Sequence, residues 1–225
     1  MLRQKVSNDR FGFTLAEVLV TLGIIGVVSA MTVPTLMQNY QKKSYVTQLH
    51  KVYNEIQQAT VMFMTDKNAL NLKEAGLISQ DACNNLILNY FKVIQTCEHS
   101  LTPCFSDLYR YIDGSAQTLT ETSMTSSNSF VLTNGSSLRP LYVLNLNPNG
   151  ELVVCFFVDI NGQKGPNIIG RDAFFMALYS NGIIDTTNIS DQNASPPFTV
   201  EQRKTADINW KPFANILNDN WEMTY

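Results

Sequence analysis

Glu17 is the only charged residue in an otherwise apolar run, residues 13–33. A carboxylate costs about 2.5–3.5 kcal/mol at the centre of a bilayer and less near its surface. If the run lies in a membrane, Glu17 therefore needs a cationic partner, such as an amine of the same or another chain. The alternative is that the side chain extends to the membrane surface, where water solvates it.

Four cysteines, Cys83, Cys97, Cys104 and Cys155, follow the apolar run. An even number of cysteines outside the cytoplasm is typical of disulfides, and two bridges can pair in any of three ways. Four buried free thiols are the alternative, because cysteine is often a core residue. His99 lies between Cys97 and Cys104, but a fourth metal ligand is not identified, so a disulfide-closed loop is the preferred interpretation.

Residues 159–172 combine glycines with side chains that carry oxygen atoms. The oxygens of Asp159, Asn161 and Asp172 suit a hard cation, and calcium is the candidate ion. The spacing departs from the EF-hand pattern, which requires further carboxylates and a final glutamate. The simpler alternative is a glycine-rich turn whose Asp and Asn side chains cap nearby backbone N–H groups. No other cofactor is predicted.

The sequence argues against catalysis and against nucleic-acid binding. It has two histidines, His50 and His99, and lacks the Gly-x-Ser-x-Gly, His-Glu-x-x-His and phosphate-loop motifs. Those motifs position a nucleophile, a metal or a phosphate in many enzymes. The formal net charge of -3 is not the balance of a nucleic-acid-binding protein. We therefore predict that the protein is not an enzyme and that its partners do not include nucleic acid.

Residues 13–33 are long enough to cross a membrane. As a helix, these 21 residues extend roughly 31 Å, which matches the hydrocarbon core of a bilayer. Arg3, Lys5 and Arg10 precede the run, and the positive-inside rule places such residues in the cytoplasm. We expect a single-pass anchor with its N-terminus in the cytoplasm. A cleaved secretory signal is the weaker alternative, because its apolar part is only about 7–15 residues long.

The order of residues at the start of this run resembles the type IV prepilin family. Gly12 is followed by Phe13, Glu17 comes four residues later, and Pro34 ends the run. The resemblance covers about residues 1–40. It implies that a prepilin peptidase cuts between Gly12 and Phe13 and methylates the new amino group. It also implies that Glu17 pairs with the amine of a neighbouring subunit and that Pro34 bends the helix. Since proline also removes a backbone donor, we expect a bend or a local break near residues 30–34.

The resemblance implies a structural subunit of a type IV pilus-like filament or of a type II secretion pseudopilus. The subunit would lie in the bacterial inner membrane and then in an extracytoplasmic filament. Its partners would be the prepilin peptidase and N-methyltransferase, other pilin or pseudopilin subunits, and an inner-membrane assembly platform. Two other functions stay open: a membrane-anchored extracytoplasmic enzyme, and a minor pilin that binds a ligand at a filament tip.

Beyond Pro34 the sequence predicts an α+β domain. Apolar residues recur at helical spacing and continue the helix as an amphipathic one: Leu49, Val52, Tyr53, Ile56, Ala59, Thr60 and Phe63. From residue 129 the period changes to two, which is typical of strands, at residues 129–132, 138–142, 141–146, 151–158 and 174–179. We therefore expect a long helix, half in the membrane and half amphipathic, packed on an antiparallel sheet of about four or five strands, as in pilins.

The chain divides into three predicted regions: a cleaved basic leader at residues 1–12, a transmembrane and polymerisation helix at residues 13–33, and an extracytoplasmic globular domain at residues 34–225. Within that domain we predict helices at residues 70–77 and 82–93, and a polar linker at residues 113–129. Turns are predicted at residues 134–135, 147–150 and 181–182, because they contain Asn-Gly or Asn-Pro-Asn-Gly. Trp210 and Trp221 are expected to anchor a short C-terminal helix or an irregular tail.

Overall fold

The computed structural model describes residues 12–117, 127–143, 151–187, 190–191 and 193–225. The chain forms two compact units, which we call unit 1, Met1–Gln41, and unit 2, Lys42–Tyr225. Three predicted features lie outside the described residues: the leader except for Gly12, the middle of the polar linker at residues 118–126, and the turn at residues 147–150.

Helix α1, Leu15–Asp66, contributes to both units. In unit 2 one of its faces is buried, as the helical spacing of the apolar residues predicts, at Val46, Leu49, Val52, Ile56, Ala59, Thr60 and Phe63. The predicted stripe is therefore confirmed, with Val46 added and Tyr53 only partly buried.

Pro34 lies inside α1, and the helix is not interrupted there. The expected local break near residues 30–34 is therefore wrong. Proline removes one backbone N–H and crowds the carbonyl of Ala30. That local loss is small beside the hydrogen bonds that remain along a helix of 52 residues.

Unit 2 contains a six-stranded antiparallel sheet in the order β1-β4-β5-β6-β7-β8. Its strands are β1 Val93–Cys97, β4 Ser129–Leu132, β5 Ser137–Tyr142, β6 Leu152–Asp159, β7 Ala173–Tyr179 and β8 Ile184–Asp185. A separate small sheet pairs β2 Tyr109–Arg110 with β3 Ala116–Gln117. The α+β class and the antiparallel sheet are confirmed. The sheet exceeds the predicted four or five strands because β1 and the two-residue β8 were not recognised.

The remaining helices are α2 Gln80–Tyr90, α3 Val200–Lys204 and α4 Lys211–Asn218. Helix α2 begins after Ser79, whose side chain accepts the N–H of Ala82, and it ends before Val93, where the predicted helix at residues 82–93 becomes strand β1. The predicted helix at residues 70–77 is wrong, because this segment forms turns. Both tryptophans are confirmed as packing anchors: Trp210 is buried, and Trp221 stacks on His50 with ring centroids 4.0 Å apart.

Both faces of the sheet are covered. On β6, Val154, Phe156 and Val158 belong to the same buried cluster as the α1 stripe. Cys155 and Phe157 alternate with them and therefore point to the opposite face, where they pack against two other clusters. One of these clusters contains Trp210, and the other contains the loop between Cys97 and Cys104.

Cys97 and Cys104 form a disulfide with their Cα atoms 6.0 Å apart, whereas Cys83 and Cys155 are free. The predicted disulfide-closed loop is confirmed, and the expectation of a second bridge is wrong. Cys83 on α2 belongs to the cluster on the α1 face of the sheet, and Cys155 lies on the other face. The sheet separates their sulfur atoms, so they cannot bond without unfolding.

We expect two reactive thiols in the unreduced, denatured chain after export to an oxidising compartment, and four after reduction. Cys155→Ser should lower the first number to one, because only Cys83 then remains free. Thiol titration in denaturant measures both states. Four thiols before reduction, or none, would contradict the pairing.

Candidate functional site

The N-terminus of α1 is capped by its own side chains. The Thr14 N–H donates to Glu17 Oε2 at 2.8 Å, and the Glu17 N–H donates to Thr14 Oγ1 at 3.3 Å. This reciprocal pair is a capping box, which satisfies backbone N–H groups that the first helical turn leaves without a partner. Glu17 therefore has a hydrogen-bond partner within its own chain.

Thr14 is a site residue that the sequence analysis missed. The signal was present, because residues 14–17 have the Thr-x-x-Glu spacing of a capping box. The Val18 N–H donates to the Thr14 carbonyl at 3.2 Å, which makes Thr14 the last residue before the helix. The box directs the Glu17 carboxylate back towards the start of the helix, where Phe13 lies.

Gly12 and Phe13 precede the helix and are exposed. The side chain of Phe13 is 89% exposed, and no heavy atom lies within 4 Å of the Cβ that a side chain at Gly12 would add. The peptide bond between them is therefore outside regular structure, where proteolysis is easiest. Pro34 lies 17 residues beyond Glu17, about 26 Å along a helix, so the structure does not bring it to this end.

The surface of α1 in unit 1 is apolar and uncovered. All of residues 12–41 are exposed, and by length and composition α1 could cross a membrane, with a mean hydropathy of 2.0 in its most apolar window. The hydroxyl groups of Thr21 and Thr32 donate to the carbonyls of Glu17 and Val28 in their own helix. Hydroxyl groups satisfied in this way do not require water inside a membrane.

The three predicted calcium ligands lie together between β6 and β7. The Asn161 N–H donates to Asp159 Oδ1 at 3.0 Å, and the Asn161 side chain donates to Asp172 Oδ2 at 3.4 Å. Asp172 also accepts the N–H groups of Asn167 and Ile168, at 2.8 and 2.7 Å. Both carboxylates thus cap backbone N–H groups of their own loop, which is the geometry of the simpler alternative.

Tyr109 adds a further contact that the sequence did not indicate. Its hydroxyl donates to Asp159 Oδ2 at 2.6 Å, across 50 residues of chain. Burial raises the pKa of Asp159 to about 7, although the hydrogen bond from Tyr109 opposes the shift. A carboxyl group that retains its proton so readily is a weaker ligand for a hard cation.

In the described part of the chain, His, Cys, Asp and Glu side chains do not gather in groups of three that could hold a metal. The side-chain oxygens of Asn161 and Asn167 are buried without a hydrogen-bond partner among the described residues. Calcium binding at Asp159, Asn161 and Asp172 therefore stays a prediction, and the next experiment decides it.

We expect millimolar calcium or a chelator to leave the melting temperature of the detergent-solubilised chain unchanged. The reason is that both carboxylates already accept hydrogen bonds from their own loop. Thermal unfolding followed by circular dichroism measures this. A melting temperature that rises with calcium in the wild type but not in Asp172→Asn would instead establish the ion site.

Comparison with known protein families places the capped end of α1 in a defined motif. Residues 7–33 match the family model described as "Prokaryotic N-terminal methylation motif". This is the prepilin-type cleavage and methylation segment of type IV pilins and pseudopilins, so the resemblance seen in the sequence is confirmed for these residues. Searches among curated proteins and among solved structures gave no match.

Proposed function

We propose that the chain is a structural subunit of a type IV pilus-like filament or of a type II secretion pseudopilus. A prepilin peptidase would remove residues 1–12 and methylate the amine of Phe13, and the subunit would assemble through α1. The observation that carries the proposal is the uncovered apolar surface of residues 12–41, which begins within the matched motif. Such a surface must be covered by lipid or by other subunits.

Glu17 supplies a reason for subunits to join in one register. Cleavage creates an amino group at Phe13, only about 6 Å along the axis from Glu17 in the same helix. A neighbouring subunit that is shifted along the filament can bring its own amine beside this carboxylate. The capping box keeps Glu17 satisfied in the single subunit, and assembly replaces the weak N–H donor with a cation.

The proposed location is the bacterial inner membrane before assembly, with the N-terminus in the cytoplasm and unit 2 outside. The basic residues of the leader support this orientation: Arg3, Lys5 and Arg10. The disulfide between Cys97 and Cys104 supports an oxidising compartment for unit 2. The proposed partners are the peptidase, other pilin or pseudopilin subunits, and an assembly platform in the inner membrane.

The motif points to a structural subunit rather than to an enzyme. The catalytic motifs sought in the sequence are not present, and the proposal requires no reaction at unit 2.

Filament formation is the direct test. The chain is produced in a bacterium that has a prepilin peptidase and an assembly machine, and the cells are sheared. We expect the sheared fraction to contain a mature chain that begins at N-methylated Phe13, as read by intact mass. A chain that keeps Met1 and stays in the membrane fraction would refute the proposal.

A further inference from the structure

A short part of α1 past the predicted membrane span carries its own apolar stripe. Its four members are spaced i, i+3, i+4 and i+7, which is the pattern of a helix that docks in a groove: Val33, Leu36, Met37 and Tyr40. Their exposed fractions are 48, 71, 58 and 74%. On a regular helix these positions lie about half a turn from the buried positions 46, 49, 52 and 56. The stripe therefore does not continue the stripe that packs on the sheet of its own chain.

Unit 2 contains an apolar groove of about 360 Å³. Its apolar lining comes from three separate segments of the chain: Tyr111, Ile112, Ile169, Ile208, Pro212 and Tyr225. Ile112 and Ile208 are 49% and 56% exposed. A Cβ atom at Gly170 would lie 2.9 Å from Ile112 Cδ1 and 3.1 Å from Pro212 Cβ. Glycine at this position therefore lets the segments approach closely enough to form the groove.

The groove lies beside the first turns of α1 in unit 2. Asp172, two residues after Gly170, is close enough to Tyr45 that burial and, second, this carboxylate raise the pKa of Tyr45. Tyr45 follows Tyr40 by five residues, about 7.5 Å along a helix. Two copies anchored in one membrane thus present stripe and groove at similar distances from its surface.

The charges at the groove are compatible with this partner. Asp113 lines the groove, and hydrogen bonds from Ser115 lower the pKa of its carboxyl group, which keeps it ionised. Lys42 and Lys43 follow the stripe directly. Lys211 also lines the groove, so a docked stripe would be oriented with its lysines towards Asp113.

We propose that the groove of one copy binds the stripe of a second copy. Groove and stripe are different surfaces of one chain, so the contact is heterologous and every copy can use both. Such a contact repeats without closing and extends a filament instead of stopping at a dimer. The inference rests on the proposed filament function and adds a defined contact between subunits outside the hydrocarbon layer.

Disulfide crosslinking between two differently tagged full-length chains tests the contact. One chain carries Met37→Cys and the other Ile208→Cys, and copper-phenanthroline oxidises the pair in membranes and in sheared filaments. We expect a mixed dimer several-fold more abundant than with Met37→Cys and Ile94→Cys. Ile94 is the matched control because it is 65% exposed on β1 and does not line the groove. Equal crosslinking of both pairs, or none, would overturn the proposal and leave lipid or solvent as the occupant of the groove.

A second measurement separates this inference from the proposed function. Ile208→Asp places a carboxylate in the groove and should lower the yield of sheared filaments several-fold, whereas Ile94→Asp should not. Filaments that tolerate Ile208→Asp and give no specific crosslink would refute the contact while leaving the filament function intact. If the wild type forms no filaments, the filament function fails, and crosslinking in membranes still decides whether groove and stripe meet.

Discussion

Replacing Glu17 with Val should lower the yield of sheared filaments by about tenfold or more, while the amount of chain in the membrane stays the same or rises. The carboxylate costs free energy in lipid, so Val inserts at least as well. The amine of a neighbouring Phe13, however, then lacks its partner, and each 1.4 kcal/mol lost at that contact reduces association about tenfold. Quantitative blotting of sheared and membrane fractions measures both effects.

Glu17→Gln separates the charge of this residue from its role as a cap. A glutamine can keep the capping box, because its side-chain oxygen still accepts the Thr14 N–H, but it cannot neutralise an amine. We expect Glu17→Gln to lose filaments as Glu17→Val does, and Thr14→Val, which keeps the charge, to lose fewer. Wild-type filament yield with Glu17→Gln would mean that capping alone is the role of this residue.

Gly12→Leu should abolish processing, so that the chain accumulates in the membrane with its twelve-residue leader attached. The matched motif is cut after its glycine, and a leucine side chain at this position would occupy space that the peptidase requires. Without cleavage Phe13 has no free amine for Glu17, so filaments should be absent. Intact mass of the membrane fraction and electron microscopy of the sheared fraction measure the two results.

Gly23→Leu is the matched control for this variant. Gly23 lies in the same apolar helix, and the added Cβ would likewise meet no atom of its own chain within 4 Å. Processing should be normal, because residue 23 is eleven positions beyond the cleaved bond. A mature mass in Gly12→Leu, or an uncut chain in Gly23→Leu, would contradict the assignment of the cleavage site.

The elements that the sequence predicted well are those whose signal is local. The membrane-length run, the Gly12-Phe13 junction and Glu17 lie within a few helical turns of one another. Each could therefore be interpreted from neighbouring residues alone. The buried stripe of α1 was predicted for a similar reason, because helical spacing alone decides which residues share a face. Thr14 belonged to the same local information and was overlooked.

The elements that the sequence did not determine depend on contacts between distant residues. Strand β1 is a strand because it pairs with β4, more than thirty residues further along the chain, and its own five residues carry little period-two signal. Tyr109 reaches Asp159 across 50 residues. Local propensity contains no term for either contact, so neither could be predicted before the sheet order was known.

The cysteines show the division most clearly. Their number and position predicted at least one disulfide, and the short separation of Cys97 and Cys104 favoured that loop. Whether Cys83 could meet Cys155 depended on which face of β6 carries Cys155, because side chains alternate between the two faces of a strand. By itself the sequence determined an apolar, cleavable helix at the N-terminus and an α+β domain behind it. Only the tertiary structure decided which side chains share a face of the sheet and where a groove opens, since both follow from long-range packing.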